Sequence, residues 1–387
     1  MPKQTVSSEP NAESLGELDQ YLIPHEALER TLQGVIVATK LDNERQKPLK
    51  EWLSQQQPAS KQLFINEWLS SAAAQFSEDL ESHALLDLII GIAYMRARGR
   101  QSNASKDPRS LKFIWSLVHR ALLRTTVFKT SRSAGGFIFV PLCSLIKDGA
   151  IDELWRLHVW LPDGIRGSTD FKIHDHNAYG QSWVLTGEGT NHRWLVEPAD
   201  EETATHSEYR LAWNDGKKCD SNYKTHQVSA TVTNVYKYLK VTHLSAEKEQ
   251  RDMTYAVSQR EWHSSEVAPE AVFATLFFFD AYRGANRDAA ILGPKDRKSS
   301  TTEKAAVGIT PGQLIRIVEL TRTWEDLMTS GKDFIAMGHY DKALGNFNHA
   351  RLLCEEQGFP NRVYYEEKTE SAIDLCRGST SAVPSNG

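Results

Sequence analysis

Ile173-His174-Asp175-His176, followed by Gln181, Trp183 and Thr186-Gly187-Glu188-Gly189, is the stretch on which the reading of this chain turns. Side chains at i and i+2 of a β-strand point to the same face. His174 and His176 are therefore expected side by side, as a metal site inside a β-barrel requires. A third nitrogen must come from another strand. His263, in Glu261-Trp262-His263-Ser264-Ser265-Glu266, is the candidate, with His243 and His226 as rivals. Three neutral imidazoles on one side of a metal leave its other side open to a substrate and dioxygen. Imidazole suits Fe, Ni, Cu and Zn alike, so the ligands do not by themselves select the metal.

The sequence around this stretch reads as a barrel. Phe137–Leu142 and the alternation through Leu154, Arg156, His158 and Trp160 are β-like, as are Gln181–Leu185 and the long alternating run Val228–Leu244. Ala271–Phe279 is apolar throughout and reads as a central strand. The polar stretch 190–225 reads as a partly β insertion, and 293–306 as a linker. On either side the apolar period becomes helical, over 21–130 and again over 307–377. Residues 1–20 and 378–387 read as disordered ends. The expected fold class is α+β, with the barrel at 131–292.

The bulk numbers exclude several classes. A formal net charge of -5 gives no basic field for nucleic acid. No apolar run reaches the roughly 20 residues of a membrane helix. Met1–Leu18 lacks an apolar core after a basic start, which argues against a secretory signal. Cys143, Cys219, Cys354 and Cys376 are scattered and form no CxxC pair, so a reducing cytoplasm is expected. No Ser-His-acid arrangement, phosphate-binding loop or dinucleotide fingerprint is present.

His174-x-His176 with Gln181 and Gly187 resembles the first motif of the cupins. Trp262-His263, followed by the apolar strand Ala271–Phe279, resembles the second. More narrowly, Ile173–His176 is similar to the Ile-His-Asp-His of cysteine-dioxygenase-like thiol dioxygenases. The resemblance covers roughly residues 137–285. It implies a double-stranded β-helix, a mononuclear Fe(II) held by His174, His176 and His263, and oxygenation of a small thiol with O2. Ni, Mn or Zn would suit the same ligands. The chain departs from that pattern. Gln181 stands where animal-type enzymes carry a Cys, and Thr275, Phe277 and Phe279 stand where the family places Ser, His and Tyr.

Gln181 is expected to ligate the metal or to bond a metal-bound water. Arg156 or Arg166 is expected to clamp a substrate carboxylate, because a guanidinium binds carboxylate through two parallel bonds. Tyr179, Trp183, Tyr236 and Tyr238 would wall a pocket or fill a core. His158 reads as an ordinary buried or surface histidine. The pattern Gly338-x-Tyr340-x-x-Ala343-x-x-x-Phe347-x-x-Ala350 resembles one tetratricopeptide unit, which implies a helical hairpin able to dock a protein partner. Two functions stay open. One is a non-haem iron oxygenase acting on a small substrate with O2. The other is a non-catalytic metal- or ligand-sensing cupin with helical interaction segments.

Overall fold

The computed structural model describes residues 22–56, 62–100, 108–286, 289–304, 307–356 and 358–381. The chain divides into two compact units, Met1–Phe128 and Lys129–Gly387. Among the described residues no helix is long and apolar enough to cross a membrane.

The first unit is helical. It contains β1 (Leu22–Pro24), α1 (His25–Thr39), α2 (Asn43–Gln55), β2 (Gln62–Phe64), α3 (Ile65–Gln75), α4 (Leu80–Arg100) and α5 (Pro108–Arg124). The short strands β1 and β2 pair antiparallel and lead into α1 and α3. The Leu85–Ile92 run is apolar apart from Asp87, and α4 is accordingly buried almost all round. Its Gly91 admits Leu117 of α5, whose Cδ1 would lie 3.1 Å from a Cβ placed there. Trp52 and Trp68 meet edge to face at 5.9 Å, and the Trp68 indole donates to the Ile23 carbonyl at 3.0 Å.

The second unit carries the strands β3 (Ser131–Arg132), β4 (Ile138–Lys147), β5 (Ala150–Trp160), β6 (Ala178–Thr186), β7 (Glu188–Pro198), β8 (His206–Asn214), β9 (Cys219–Asp220) and β10 (Ser229–Gln250). They are followed by β11 (Thr254–Val257), β12 (His263–Glu266), β13 (Phe273–Ala285), β14 (Ala290–Gly293) and β15 (Ser299–Glu303). They form two antiparallel sheets. One runs β11-β6-β13-β5-β4-β3; the other runs β12-β7-β10-β8-β14, with β15 on β10 and β9 on β8. The apolar run expected to be central is β13, buried between β5 and β6. Phe278 stacks on Trp155 at 3.9 Å on one face of that sheet, while Phe277 and Phe279 point to the other. This is a cupin-like two-sheet barrel with helices before and after it.

The Ile173–His176 segment is not a regular strand. His174 forms isolated bridges to His263 of β12 and to Ile291 of β14. Those are the two ends of the second sheet, so this segment joins them and closes the path into a ring.

Three sequence expectations need correction. Residues 190–225 are not an insertion: β7 and β8 are members of the second sheet, each paired with β10. Their polarity reflects sheet faces that are half exposed. Residues 293–306 are not merely a linker, because β15 pairs with the start of β10. The alternation of β10 breaks where Tyr236 takes a φ of 53° and the register slips between Asn234 and Tyr238. Tyr236 is therefore exposed and walls no pocket.

The C-terminal helices α6 (Pro311–Ala336), α7 (Tyr340–Cys354) and α8 (Arg362–Ser381) are three, where the sequence implied a hairpin. Thr310 and Gln313 close a capping box at the start of α6. Gly331 lets α7 approach: a Cβ there would meet the Phe347 ring at 2.3 Å. These helices belong to the barrel unit. Glu325 of α6 accepts bonds from the Thr186 hydroxyl and the Gly187 amide, both at 2.7 Å. Arg322 donates to the Leu185 carbonyl, and the Tyr365 hydroxyl accepts from the Val272 amide at 3.1 Å.

Candidate metal centre

The ring closure places His174 on the same strand pair as His263, and two residues further His176 turns to join them. The main chains of His174 and His263 exchange both of their hydrogen bonds at 3.0 Å. The ring centroids lie 5.2 Å apart for His174–His176, 4.6 Å for His174–His263 and 4.7 Å for His176–His263. One nitrogen from each lies within 4.8 Å of the others. The Nε2 atoms of His176 and His263 are 3.1 Å apart. Adjacent nitrogens around a metal at about 2.1 Å stand roughly 3.0 Å apart, so this pair already has a ligand spacing.

The tautomers suit ligation. The Nδ1–H of His174 donates to the Lys172 carbonyl at 3.0 Å. The Nδ1–H of His263 donates to Asn191 Oδ1 at 2.9 Å. Each bond leaves Nε2 as a bare lone pair. His176 Nδ1 is buried without a partner, and its ring is held by the edges of Phe279 at 4.8 Å and Phe277 at 6.1 Å. Burial pushes the protonation of all three histidines below the ordinary imidazole range, with repulsion between the rings adding to it for His176 and His263. Three uncharged donors with converging lone pairs fit a divalent metal of the borderline class.

Asp175 faces away from the cluster and accepts from the Ala290 amide at 2.5 Å. It fixes the closing segment to β14. Arg193, opposite His263, is neutralised by Glu261 and Glu247. The rival His243 sits elsewhere, its Nε2 3.1 Å from His192 Nδ1.

The other expected site residues divide. Gln181 lies opposite Phe278, on the sheet face turned away from the histidines. Its Oε1 accepts from Arg283 at 2.7 Å, and Arg283 also bonds the Tyr179 hydroxyl at 2.8 Å. Gln181 therefore does not reach the metal position. The one-residue alternation of β6 aims Gly180 and Ser182 inward instead. Arg166 donates to the carbonyls of Leu161, Val267 and Ala268, pinning two loops together. Arg156 lies opposite Phe277, on the histidine side.

His158, read from the sequence as an ordinary buried or surface histidine, is buried; two positions from Arg156 on β5, it shares the inner face and stacks on Phe277 at 4.8 Å. Asn191 escaped the sequence reading, hidden by the reading of 190–225 as an insertion. Replacing Asn191 with Leu removes the acceptor that sets the His263 ring. Metal affinity is expected to fall about 10- to 100-fold, read by competition with a chelator; unchanged affinity would show that Asn191 does not position the ligand.

Glu249 of β10 is buried opposite Gly189. Burial first, then Glu247, pushes its carboxyl up to about 7 from 4.5. The folded chain thus holds a proton that the unfolded chain releases. The stabilisation is complete below the unfolded value and is lost as pH rises through about 7. Glu249→Gln should raise the urea midpoint above wild type at pH 8 and leave it nearly unchanged at pH 4. Equal shifts at both would refute the assignment.

No protein-family model matches the chain, and no curated protein does either. Nothing in these comparisons supports the tetratricopeptide reading of Gly338–Ala350. Among solved structures, hydroxypropylphosphonic acid epoxidase from S. wedmorenis aligns at 10% identity and a TM-score of 0.21, covering 56% of this chain and 96% of that one. A crystal structure of FeII HppE aligns at 11% identity and a TM-score of 0.19, covering 59% and 97%. Likeness at these scores decides neither fold nor chemistry, and both rest on the chain's own geometry.

Proposed function

We propose that this chain is a mononuclear non-haem Fe(II) oxygenase that oxidises a small organic substrate with O2, its metal held by His174, His176 and His263. The convergence of three uncharged imidazoles, two with Nδ1–H already engaged, carries this reading. When bound, the metal would bring substrate and dioxygen together and pass electron density between them.

The chain's own residues supply orientation and dryness. Lys172 and Asn191 hold two of the rings, and Phe277 and Phe279 keep water from the third. The likeness to thiol dioxygenases supports a thiol as one candidate substrate. Apolar Phe277 and Phe279 in place of that family's polar pair weaken it. They also favour a second reading, a metal- or ligand-sensing cupin without turnover, with the helical segments as docking surfaces for a protein partner.

The test is metal analysis of the purified chain after anaerobic loading with Fe(II), Ni(II), Mn(II) or Zn(II), then O2 uptake with small thiols and small acids. Stoichiometric iron with substrate-dependent O2 uptake is expected. Metal bound without turnover would leave the sensing reading. A protein that takes up no metal would overturn the oxygenase.

A further inference from the structure

The outer face of the second sheet carries a pair of histidines that the buried centre does not use. Successive residues of β7 alternate between its two faces. Asn191, which holds His263, turns inward, so His192 and Trp194 share the outer face. Ser264 of β12 stands opposite His192, with Glu266 two residues on, and His243 of β10 stands opposite Trp194. A bulge between His243 and Ser245 breaks the pairing at this point, and bulges re-aim the side chains beside them.

Three side chains there are joined in a line. His192 Nδ1 and His243 Nε2 are 3.1 Å apart, and His192 Nε2 is 3.1 Å from Glu266 Oε2. A carboxylate only accepts, so Glu266 takes the Nε2–H of His192 and leaves its Nδ1 as a lone pair directed at His243. A carboxylate behind one ring nitrogen, with the other nitrogen turned outward, is the arrangement that orients imidazoles on metals. The two ring centroids lie 5.2 Å apart, the same separation as His174 and His176. Trp194 steadies the pair: its ring meets His243 edge to face at 4.9 Å, and its indole donates to the Ser264 hydroxyl at 3.1 Å. Water reaches the pair, because His243 is exposed and His192 only half-buried.

We propose that His192 Nδ1 and His243 Nε2 form a second, solvent-facing site for a divalent transition metal, with Glu266 positioning His192 and water filling the remaining places. The nitrogens already stand at the roughly 3.0 Å that separates adjacent ligands of a metal held at about 2.1 Å. Without metal, one proton lies between them; a bound cation takes its place, and His243 carries that proton on Nδ1 instead. Imidazole donors suit Ni(II), Cu(II) and Zn(II), which such sites bind more tightly than Fe(II) or Mn(II). The surface site therefore prefers later metals than the iron proposed for the buried centre, and it does not depend on that proposal. Asn191 and His192 are consecutive, so the two sites stand back to back on one strand.

The test is equilibrium dialysis of the full-length chain against Ni(II), followed by metal analysis. His192→Gln and His243→Gln should each lose one equivalent that wild type binds. Glu266→Gln should keep that equivalent but hold it about tenfold more weakly or worse, the loss expected when the partner of a ligating histidine is removed. His206→Gln, a histidine of β8 bonded to Thr205, should change nothing. His263→Ala should retain the equivalent that His243→Gln loses, so failure of the buried centre and failure of the surface site are read separately. Ni(II) should also quench part of the tryptophan fluorescence, and that part should disappear in Trp194→Phe and in His243→Gln. Far-UV circular dichroism of each variant should match wild type. If His243→Gln binds as much Ni(II) as wild type, and as tightly, the two rings share a hydrogen bond only and the proposal is overturned.

Discussion

His263→Ala is expected to abolish metal loading while the barrel remains folded. The side chain supplies one of three converging nitrogens. Changing only the partner of a ligating histidine costs 10- to 100-fold in affinity, so removing the ligand itself should cost about 100-fold or more. The fold should survive, because the bonds that join residues 263 and 174 are main-chain bonds that alanine retains. The measurement is iron content after anaerobic reconstitution, with the rise in melting temperature on adding Fe(II) as a second readout. Wild type should show both and His263→Ala neither. A variant that still loads iron fully would remove His263 from the ligand set.

The second large effect is on stability. Gly187 ends β6 with a φ of +80°, and a Cβ there would stand 2.0 Å from the Val272 carbonyl oxygen. That oxygen is backbone and cannot swing aside. The Gly187 amide also donates to Glu325, a carboxylate raised by burial and anchored by Thr186. Gly187→Ala therefore strains a left-handed position, pushes two chain segments apart and loosens the seat of α6. A left-handed non-glycine residue alone costs about 1–3 kcal/mol, and the clash adds to it. A loss of about 3 kcal/mol or more is expected from urea denaturation. A loss below about 1 kcal/mol, no more than an unstrained exposed glycine costs, would show that β13 yields where the structure holds it fixed.

The clustering of the three histidines was legible in the sequence because residue spacing is a local rule, although Ile173–His176 is not a regular strand. His174 and His176 needed only their spacing, and His263 only a following apolar strand. Gln181 failed by the same rule: five positions on from His176 is an odd offset, which alternation turns to the opposite face, and β6 accordingly faces Gly180 and Ser182 inward. The helical ends were legible from their period. The placement of α6 against β6 was not, since it depends on Glu325 and Arg322 meeting main-chain groups more than a hundred residues away.

The closing of the second sheet at His174 has a consequence for how this protein is made. His176 and His263 are 87 residues apart, and the segment between them includes β6, β7, β8 and β10. Contacts of such separation form late, after the entropy of the intervening loop has been overcome. The seam also needs β14, so a nascent chain cannot complete it before Ile291 has been synthesised. Until then the three imidazoles are dispersed and have no common affinity for a metal. On the metal-centre reading, metal capture would report a late step of folding, and an ion bound by the native state alone would stabilise the closed seam.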